Sequence, residues 1–453
     1  MIRNTGLFMS QQDSMEFPEL LEKVQGYMSE QYKELLSGDG EDNKDTLISA
    51  IRQFLTDTRL SVDDMDPEQL TNRLYREMAE YSFLTPYLNY KVEDVEGIEI
   101  NSWDCIWVKF AGGRMEPAEG QFLSPKHARD VLTRLLHQSK INMDYACPLV
   151  RGHLDKNIRI TVNGGFGTLD EDVGIAASIR FVNPSHLTKE DLIQFGTLTP
   201  EMMEFLIAMY RYGISLMLAG ETDAGKTTLM AIIMAVAVPY SKKLYTIENG
   251  TREFDLIVRD AVDRILNSVI HTVTRDSEDP KQAITQQMLL ELGMTMNPDY
   301  ICMAEVKGSE AFETIEAAQT GHPVIGTTHT DSAETIPDRL VQLASIKGTT
   351  LSDKTLYSMA TKAFPILFYS EKMADEVRRV TEICECTLEN DRPKVIPLWK
   401  YVTEYNEVID GKTVVHGNFI KCGTISEQLQ KRLRRKGIPE NLLQSFLKGG
   451  QEK

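Results

Sequence analysis

One short segment of the chain reads Gly220-Glu221-Thr222-Asp223-Ala224-Gly225-Lys226-Thr227, which fits the pattern G-x-x-x-x-G-K-[ST]. An apolar run, Ile214 to Ala219, precedes the segment, and a helical pattern begins at Thr227. A strand before such a segment and a helix after it distinguish a phosphate-binding loop from a chance glycine-rich turn. The sequence therefore predicts a P-loop, the loop that binds the phosphates of a nucleotide, at this position.

The residue types in this loop match what a bound triphosphate needs. Glycines let backbone N–H groups turn toward phosphate oxygens, and the positive end of the following helix adds to the attraction. Lys226 is expected to neutralise β- and γ-phosphate charge, and the Thr227 hydroxyl is expected to bind Mg²⁺. The loop therefore predicts ATP and Mg²⁺ as ligands. The predicted binding residues are Gly220, Glu221, Thr222, Asp223, Ala224, Gly225, Lys226, Thr227 and Thr228.

Glu305, His329 and Glu248 each come directly after an apolar, strand-like run downstream of the loop. Because ligands of open parallel sheets bind at the carboxyl ends of the strands, we expect these side chains to converge with Lys226 on one site. Glu305 is predicted to bind Mg²⁺ or to polarise the attacking water, His329 to sense the γ-phosphate, and Glu248 to lie nearby as a further acid. The alternatives are structural: a loop glutamate, a structural histidine and an acid that only ends a strand.

The hydrophobic pattern divides the chain into three parts. Residues 1–81 are polar with helical periodicity and predict a small helical appendage. Residues 82–186 alternate like half-buried strands around one helix and predict a smaller α/β domain with a mixed sheet. Residues 187–453 alternate strands and helices, which is typical of a parallel sheet, and end in strands with a hairpin turn at Asp410-Gly411 and a basic helix. The predicted fold class is therefore α/β, with a parallel-rich sheet in the P-loop domain.

Composition and charge bear on the partners. The chain of 453 residues has a formal net charge of −18. An acidic protein repels the phosphate backbone, whose neutralisation supplies most non-specific affinity for nucleic acid, so no nucleic-acid partner is expected. The basic run from Lys431 to Lys436 is most simply a solvated helix face, and a contact with a partner or with lipid headgroups is the alternative.

Cysteines and apolar runs bear on the compartment. Six cysteines in a chain of this length do not resemble a disulfide framework, and Cys384 with Cys386 is expected to be reduced and buried. The first residues do not lead into an apolar core of signal-peptide length. The longest apolar run, Leu229 to Val238, is shorter than the roughly 20 residues that span a bilayer. We therefore expect a cytoplasmic protein that contacts the membrane only through partners.

The order of these motifs resembles the type II/type IV secretion ATPase superfamily, and most of all its CpaF branch, which powers tight-adherence pili and related secretion machines. The resemblance extends from Thr71 to Pro439. Five segments carry it, and they are similar to the family's linker before the motor domain, its Asp box, its Walker B region, its His box and its C-terminal strand. These segments are 195–202, 246–248, 297–308, 320–330 and 379–383.

The resemblance implies a homohexameric ring with a RecA-like motor domain, which binds ATP between this domain and an N-terminal domain. It further implies a motor for pilus assembly or protein secretion, working at the inner face of the cell membrane through an inner-membrane platform protein. Arginines of the N-terminal domain are expected to reach the phosphates, and Arg159 and Arg180 fit these positions. The alternative for both is an ordinary arginine on a strand surface.

Several residues depart from the family pattern. Asp223-Ala224 stands where small residues such as Gly-Ser are usual, and Asp223 brings a negative charge near a polyphosphate. Neither this change nor Ala304, Asn249 or Lys307 removes Lys226, Thr227, Glu305 or His329, so we expect hydrolysis. Two other hypotheses stay open: a ring ATPase that translocates nucleic acid, and a nucleotide-binding scaffold with little turnover.

Overall fold

A computed structural model describes residues 13–31, 41–110, 114–155, 158–181, 187–250, 252–275, 281–409 and 411–448. Asp410, part of the predicted hairpin turn, and the predicted linker at Asn183-Pro184 lie outside these ranges. The chain divides into two compact units, Met1–Val182 and Asn183–Lys453. The first unit contains both the helical residues and the sheet that the sequence assigned to separate domains, so the three-part division stays a prediction.

Helices at the start of the first unit pack around one apolar cluster that includes Leu20, Val24, Ile51 and Leu74. The third helix begins where it does because the Asp66 carboxylate accepts hydrogen bonds from the first free backbone N–H groups and a proline follows it. The described α-helices of this unit are α1 (Phe17–Gln31), α2 (Glu41–Thr58), α3 (Pro67–Ala79), α4 (Thr85–Leu88) and α5 (Pro125–Gln138).

The described strands of the first unit form a two-stranded pair, β1 with β2, and a six-stranded sheet in the order β5-β4-β3-β8-β7-β6. Every neighbouring pair in the larger sheet is antiparallel, so the predicted mixed sheet is wrong. Most neighbours are joined by short connections, which can only return the chain antiparallel. The strands are β1 (Asp13–Ser14), β2 (Leu60–Ser61), β3 (Val95–Ser102), β4 (Cys105–Phe110), β5 (Met115–Pro117), β6 (Leu149–Asp155), β7 (Ile158–Asn163) and β8 (Ala176–Phe181).

The second unit is built on a nine-stranded sheet in the order β11-β10-β12-β13-β9-β14-β15-β16-β17. From β11 to β14 all neighbours are parallel, and from β14 to β17 they are antiparallel. The strands are β9 (Leu216–Gly220), β10 (Lys243–Glu248), β11 (Ser268–Val273), β12 (Tyr300–Met303), β13 (Val324–Thr328), β14 (Ile366–Lys372), β15 (Arg378–Glu389), β16 (Arg392–Ile409) and β17 (Lys412–Lys421). The predicted α/β, RecA-like fold with a parallel-rich sheet is confirmed.

Helices cover both faces of the parallel part, which explains why its strands β9 and β12 are apolar and buried along their whole length. Successive residues of β9 alternate between two hydrophobic clusters, with Leu216 and Leu218 on one face and Met217 and Ala219 on the other. The described helices are α6 (Lys189–Gln194), α7 (Pro200–Arg211), α8 (Lys226–Ala237), α9 (Gln286–Thr295), α10 (Ala311–Gln319), α11 (Ile336–Ser345), α12 (Asp353–Ala363), α13 (Glu427–Arg435) and α14 (Glu440–Leu447).

The C-terminal elements contain the basic run and the paired cysteines. Leu429 and Leu433 anchor α13 in the core, and Arg434 on the same helix pairs with Glu440 at 2.9 Å. Cys384 and Cys386 are buried in β15, where burial raises the pKa of both thiols to about 12. Within the described parts of the chain, every helix is too short or too polar to cross a bilayer.

Candidate functional site

The P-loop connects β9 to α8 at the centre of the nine-stranded sheet. Gly220 lies so close to β14 that a Cβ atom there would sit 2.0 Å from the carbonyl oxygen of Ser370, so only glycine fits. Gly225, with φ of 77°, precedes the first residue of α8 and offers no side chain to cap it. The N–H groups of the first helical turn therefore face the loop, which is the arrangement that binds phosphate.

Lys226 folds back over the loop. Its ammonium group donates to the carbonyl oxygens of Gly220 at 2.8 Å and Glu221 at 2.5 Å. Burial lowers the pKa of Lys226, while the negative charges of Glu305 and Glu221 act in the opposite direction. Lys226 therefore lies within electrostatic range of Glu305, as the sequence predicted for one shared site.

Glu305 and His329 meet at the carboxyl ends of the neighbouring strands β12 and β13. His329 Nε2 lies 3.0 Å from Glu305 Oε1, and Lys307 Nζ donates to Glu305 Oε2 at 3.1 Å. The hydrogen bond with His329 and the charge of Lys307 outweigh partial burial and lower the pKa of Glu305 to about 2. Gln286 also donates to the backbone carbonyl of Glu305 at 2.8 Å, which fixes the backbone beneath the carboxylate.

A second carboxylate reaches the loop, and the sequence reasoning missed it. The Thr227 hydroxyl donates to Glu253 Oε2 at 3.1 Å. Glu253 lies in the irregular segment after β10, where no strand pattern marks it. The sequence does contain a signal for it. Glu253 follows Glu248 closely enough in the chain for its carboxylate to reach the carboxyl end of β10. Hydroxyl and carboxylate oxygens are ligands that Mg²⁺ prefers, so Thr227 and Glu253 fit such an ion.

Glu248 lies beneath this segment and is fully buried. Its Oε2 accepts hydrogen bonds from the backbone N–H groups of Glu253 and Phe254. Its Oε1 accepts from the Thr246 hydroxyl at 3.0 Å and lies 3.3 Å from His271 Nδ1. The carboxylate that the sequence predicted near the site thus holds in place the segment that carries Glu253.

The remaining predicted loop residues differ in their surroundings. Glu221, Thr222 and Asp223 are exposed, whereas Ala224 is buried and its carbonyl accepts a hydrogen bond from the Ser370 hydroxyl at 2.7 Å. Thr228 is half-buried in the first turn of α8.

Arg159 and Arg180 lie in the first unit, opposite one another on β7 and β8 of the six-stranded sheet. Arg159 is half-buried and Arg180 is exposed. Both belong to the face opposite the apolar side chains that pack on α5, since Ile158, Ile160 and Ile179 are the buried neighbours. Their predicted contact with phosphates stays a prediction.

Among solved structures, the chain is similar to the ATPase DotB of Legionella pneumophila, with 15% identity, a TM-score of 0.47, and 78% of this chain and 82% of that chain covered. It is also similar to the pilus retraction motor PilT with bound ADP, with 17% identity, a TM-score of 0.45, and 80% and 87% covered.

Among sequences, a putative conjugal transfer protein of Mycobacterium tuberculosis is 24% identical over 344 residues, which are 74% of this chain and 93% of the relative. The type IV secretion system protein PtlH of Bordetella pertussis is 30% identical over 185 residues, 40% of this chain and 52% of the relative. The family described as "Type II/IV secretion system protein" matches residues 126–410. This match covers more than half of the chain, and the chain therefore belongs to the type II/IV secretion system protein family.

Proposed function

We propose that this protein is an ATPase motor that binds Mg²⁺-ATP at the P-loop and hydrolyses it to ADP and phosphate. One observation carries the proposal: Glu305 and His329 are in contact at the ends of two neighbouring strands, and the charge of Glu305 acts on Lys226 of the P-loop. Glu305 lies 3.0 Å from His329 and within electrostatic range of Lys226. Phosphoryl transfer requires positioning and charge stabilisation more than covalent chemistry from the protein, and this set supplies both.

Lys226 is the phosphate-binding cation in this proposal. Its ammonium group now donates to the carbonyls of Gly220 and Glu221, which are neutral acceptors. Phosphate oxygens are stronger, charged acceptors, so a triphosphate in the loop takes over these hydrogen bonds. The N–H groups at the start of α8 bind the same phosphates.

Glu305 acts by orienting the attacking water. With a pKa of about 2 it is ionised at physiological pH and accepts hydrogen bonds, but it is too weak a base to take a proton early. The loose transition state of phosphoryl transfer makes little demand on a strong base, so orientation is sufficient. His329 contacts the carboxylate directly and would report the γ-phosphate to Glu305.

Thr227 and Glu253 would hold Mg²⁺, which neutralises phosphate charge when it is bound. Glu248 is a positioning residue in this proposal, because its carboxylate binds the backbone N–H groups of Glu253 and Phe254.

The second part of the proposal concerns the work that ATP hydrolysis drives. We infer from the family and the order of motifs that the chain belongs to the CpaF branch and forms a homohexamer. It would work on the cytoplasmic side of the membrane and drive pilus assembly or protein secretion through an inner-membrane platform protein. Arg159 and Arg180 would contact the phosphates of ATP. Mass measurements with and without ATP test the hexamer, and a monomer under both conditions would contradict it.

Replacement of Lys226 by alanine tests the site. Lys226→Ala removes the cation that binds the phosphates, so ATP turnover, measured as phosphate release, should fall to background. Circular dichroism should show the parental fold. Lys242→Ala is the matched control, because Lys242 pairs with Asp299 on the surface of the same unit and turnover should persist. Parental hydrolysis by purified Lys226→Ala protein would refute the assignment.

A nucleotide-binding scaffold is the second candidate. It is favoured by Glu305, whose two carboxylate oxygens are both engaged, one by His329 and one by Lys307. Each oxygen keeps a further acceptor site, but turnover would be slow if a bound nucleotide left both partners in place beside it. Tight ATP binding without phosphate release would select this function.

A further inference from the structure

The P-loop is held from one side by the turn between β14 and β15. We propose that Arg378, at the start of β15, is a nucleotide-positioning residue: it neutralises Asp223 and fixes the P-loop in its phosphate-binding shape. This inference rests on the proposed binding of ATP at the loop. It also assigns a reason to the acid that stands where the family usually has a small residue.

Arg378 makes two hydrogen bonds to the same loop residue. Its Nε donates to the backbone carbonyl of Asp223 at 2.8 Å, and its Nη2 donates to Asp223 Oδ1 at 2.9 Å. The arginine stem also lies against the loop, since a Cβ atom on Gly225 would sit 3.1 Å from Arg378 Cδ. The fork of donors thus fixes both the backbone and the side chain of Asp223.

Asp223 needs such a partner for two reasons. Its φ of 68° lies in the left-handed region, which aspartate tolerates better than most residues but which still requires support from its surroundings. Its carboxylate is part of the loop that is to receive a triphosphate, and like charges at short distance repel. A guanidinium group on the carboxylate cancels this charge where the phosphates bind.

The strand that presents Arg378 is itself braced. Arg379 pairs with Asp375 through two hydrogen bonds of 2.7 Å, which fixes the turn between β14 and β15. Val380 donates its backbone N–H to the carbonyl of Thr197 at 2.8 Å. On β14, the buried Ser370 hydroxyl holds the carbonyl of Ala224. Two adjacent loop residues, Asp223 and Ala224, are therefore held by two adjacent strands.

A double-mutant cycle separates charge neutralisation from simple bracing. The four proteins are the parent, Arg378→Gln, Asp223→Ser and the double variant, all as the full chain. The affinity for a fluorescent ATP analogue and the kcat and KM for ATP are measured for each. Lys394→Gln is the matched control, because it removes a cation of β16 that pairs with Glu389 at 2.8 Å and leaves the loop alone.

Arg378→Gln should weaken binding of the analogue by about tenfold and raise KM more than it lowers kcat, because an uncompensated carboxylate then faces the phosphates. Adding Asp223→Ser should recover most of this loss, a coupling expected only between groups that act on each other. Arg378→Lys keeps the charge but loses the fork of donors, so it should recover most of the affinity that Arg378→Gln loses and bind within about threefold of the parent. Thermal melts check that every variant folds. If Arg378→Gln does not fold, Arg378→Lys is used in its place to test the contact with Asp223.

Equal losses from Arg378→Gln in the parent and in the Asp223→Ser variant would overturn the inference and leave Arg378 a brace. The inference would also be overturned if Arg378→Gln bound the ATP analogue as tightly as the parent does. These outcomes differ from a failure of the proposed function, in which the parent binds the analogue no better than Lys226→Ala does; the inference would then fall with it.

Discussion

Two glutamates follow neighbouring strands of the nine-stranded sheet, and each carboxylate has a histidine beside it. Glu305 follows β12, lies 3.0 Å from His329, and its side chain is 30% exposed. Glu248 ends β10, lies 3.3 Å from His271, and its side chain is 0% exposed. The first pair is able to exchange partners with solvent or a ligand. The second cannot, because any partner that left would leave a buried polar group unsatisfied.

The same local pattern, an acid at a strand end with a histidine from the adjacent strand, serves two purposes. At β12 it makes a group that is able to act on a reacting atom. At β10 it makes an anchor that ties down a neighbouring segment through the N–H groups of Glu253 and Phe254. The two pairs differ in how far neighbouring segments bury them. Mutation of the partly exposed Glu305 should therefore reduce turnover, and mutation of the buried Glu248 should reduce stability.

The largest effect is expected from Glu305→Gln. The amide keeps the shape but loses the charge that orients water, so kcat should fall by about a hundredfold or more. The free energy of unfolding should fall by no more than about 1 kcal/mol, because the paired carboxylate is 30% exposed. Phosphate release and urea unfolding measure the two quantities. Glu316→Gln, an exposed position on α10, is the control. A kcat within a few-fold of the parent would mean that Glu305, like Glu248, has a structural role and does not orient water.

Glu248→Gln is expected to reduce stability more than turnover. The buried carboxylate accepts hydrogen bonds from two backbone N–H groups and a hydroxyl, and an amide cannot accept all of them. The free energy of unfolding should fall by about 1–3 kcal/mol. Urea unfolding checks this, with the exposed Glu291→Gln as control. Unchanged stability with strongly reduced turnover would contradict the anchor role.

The smallest expected effect is on the pH dependence of stability. The pKa of Glu305 is lowered from 4.5 to about 2, so its ionised form stabilises the folded protein. This contribution is fully present above the unfolded pKa and is lost as pH falls from 4.5 toward 2. The stability difference between the parent and Glu305→Gln should therefore be constant near neutral pH and shrink in acid. Urea unfolding at several pH values measures it, and a difference independent of pH would argue against the paired carboxylate.

The sequence predicted those features that depend on local pattern. The P-loop, its flanking strand and helix, and the strand ends at Glu305 and His329 follow from spacing and hydrophobic periodicity, which short segments encode. The burial of Glu248 was not predictable in this way, because it depends on how the segment after β10 covers it.

Features that depend on long-range pairing were missed or wrong. Glu253 lies outside any periodic segment. Arg378 and Asp223 are 155 positions apart and meet only because β14 pairs with β9 and β15 turns back beside it. The antiparallel character of the six-stranded sheet likewise depends on which strands become neighbours, which periodicity does not specify.

The long strand β16 has a mechanical consequence. It has 18 residues and spans about 60 Å when fully extended. One end of it pairs with β15, which begins at the residue that contacts the P-loop, and the other end extends with β17 as a ribbon. The part of β16 beyond its pairing with β15, residues 401–409, is about 30 Å long when fully extended, so a tilt of a few degrees at its base moves its tip by about 2 Å.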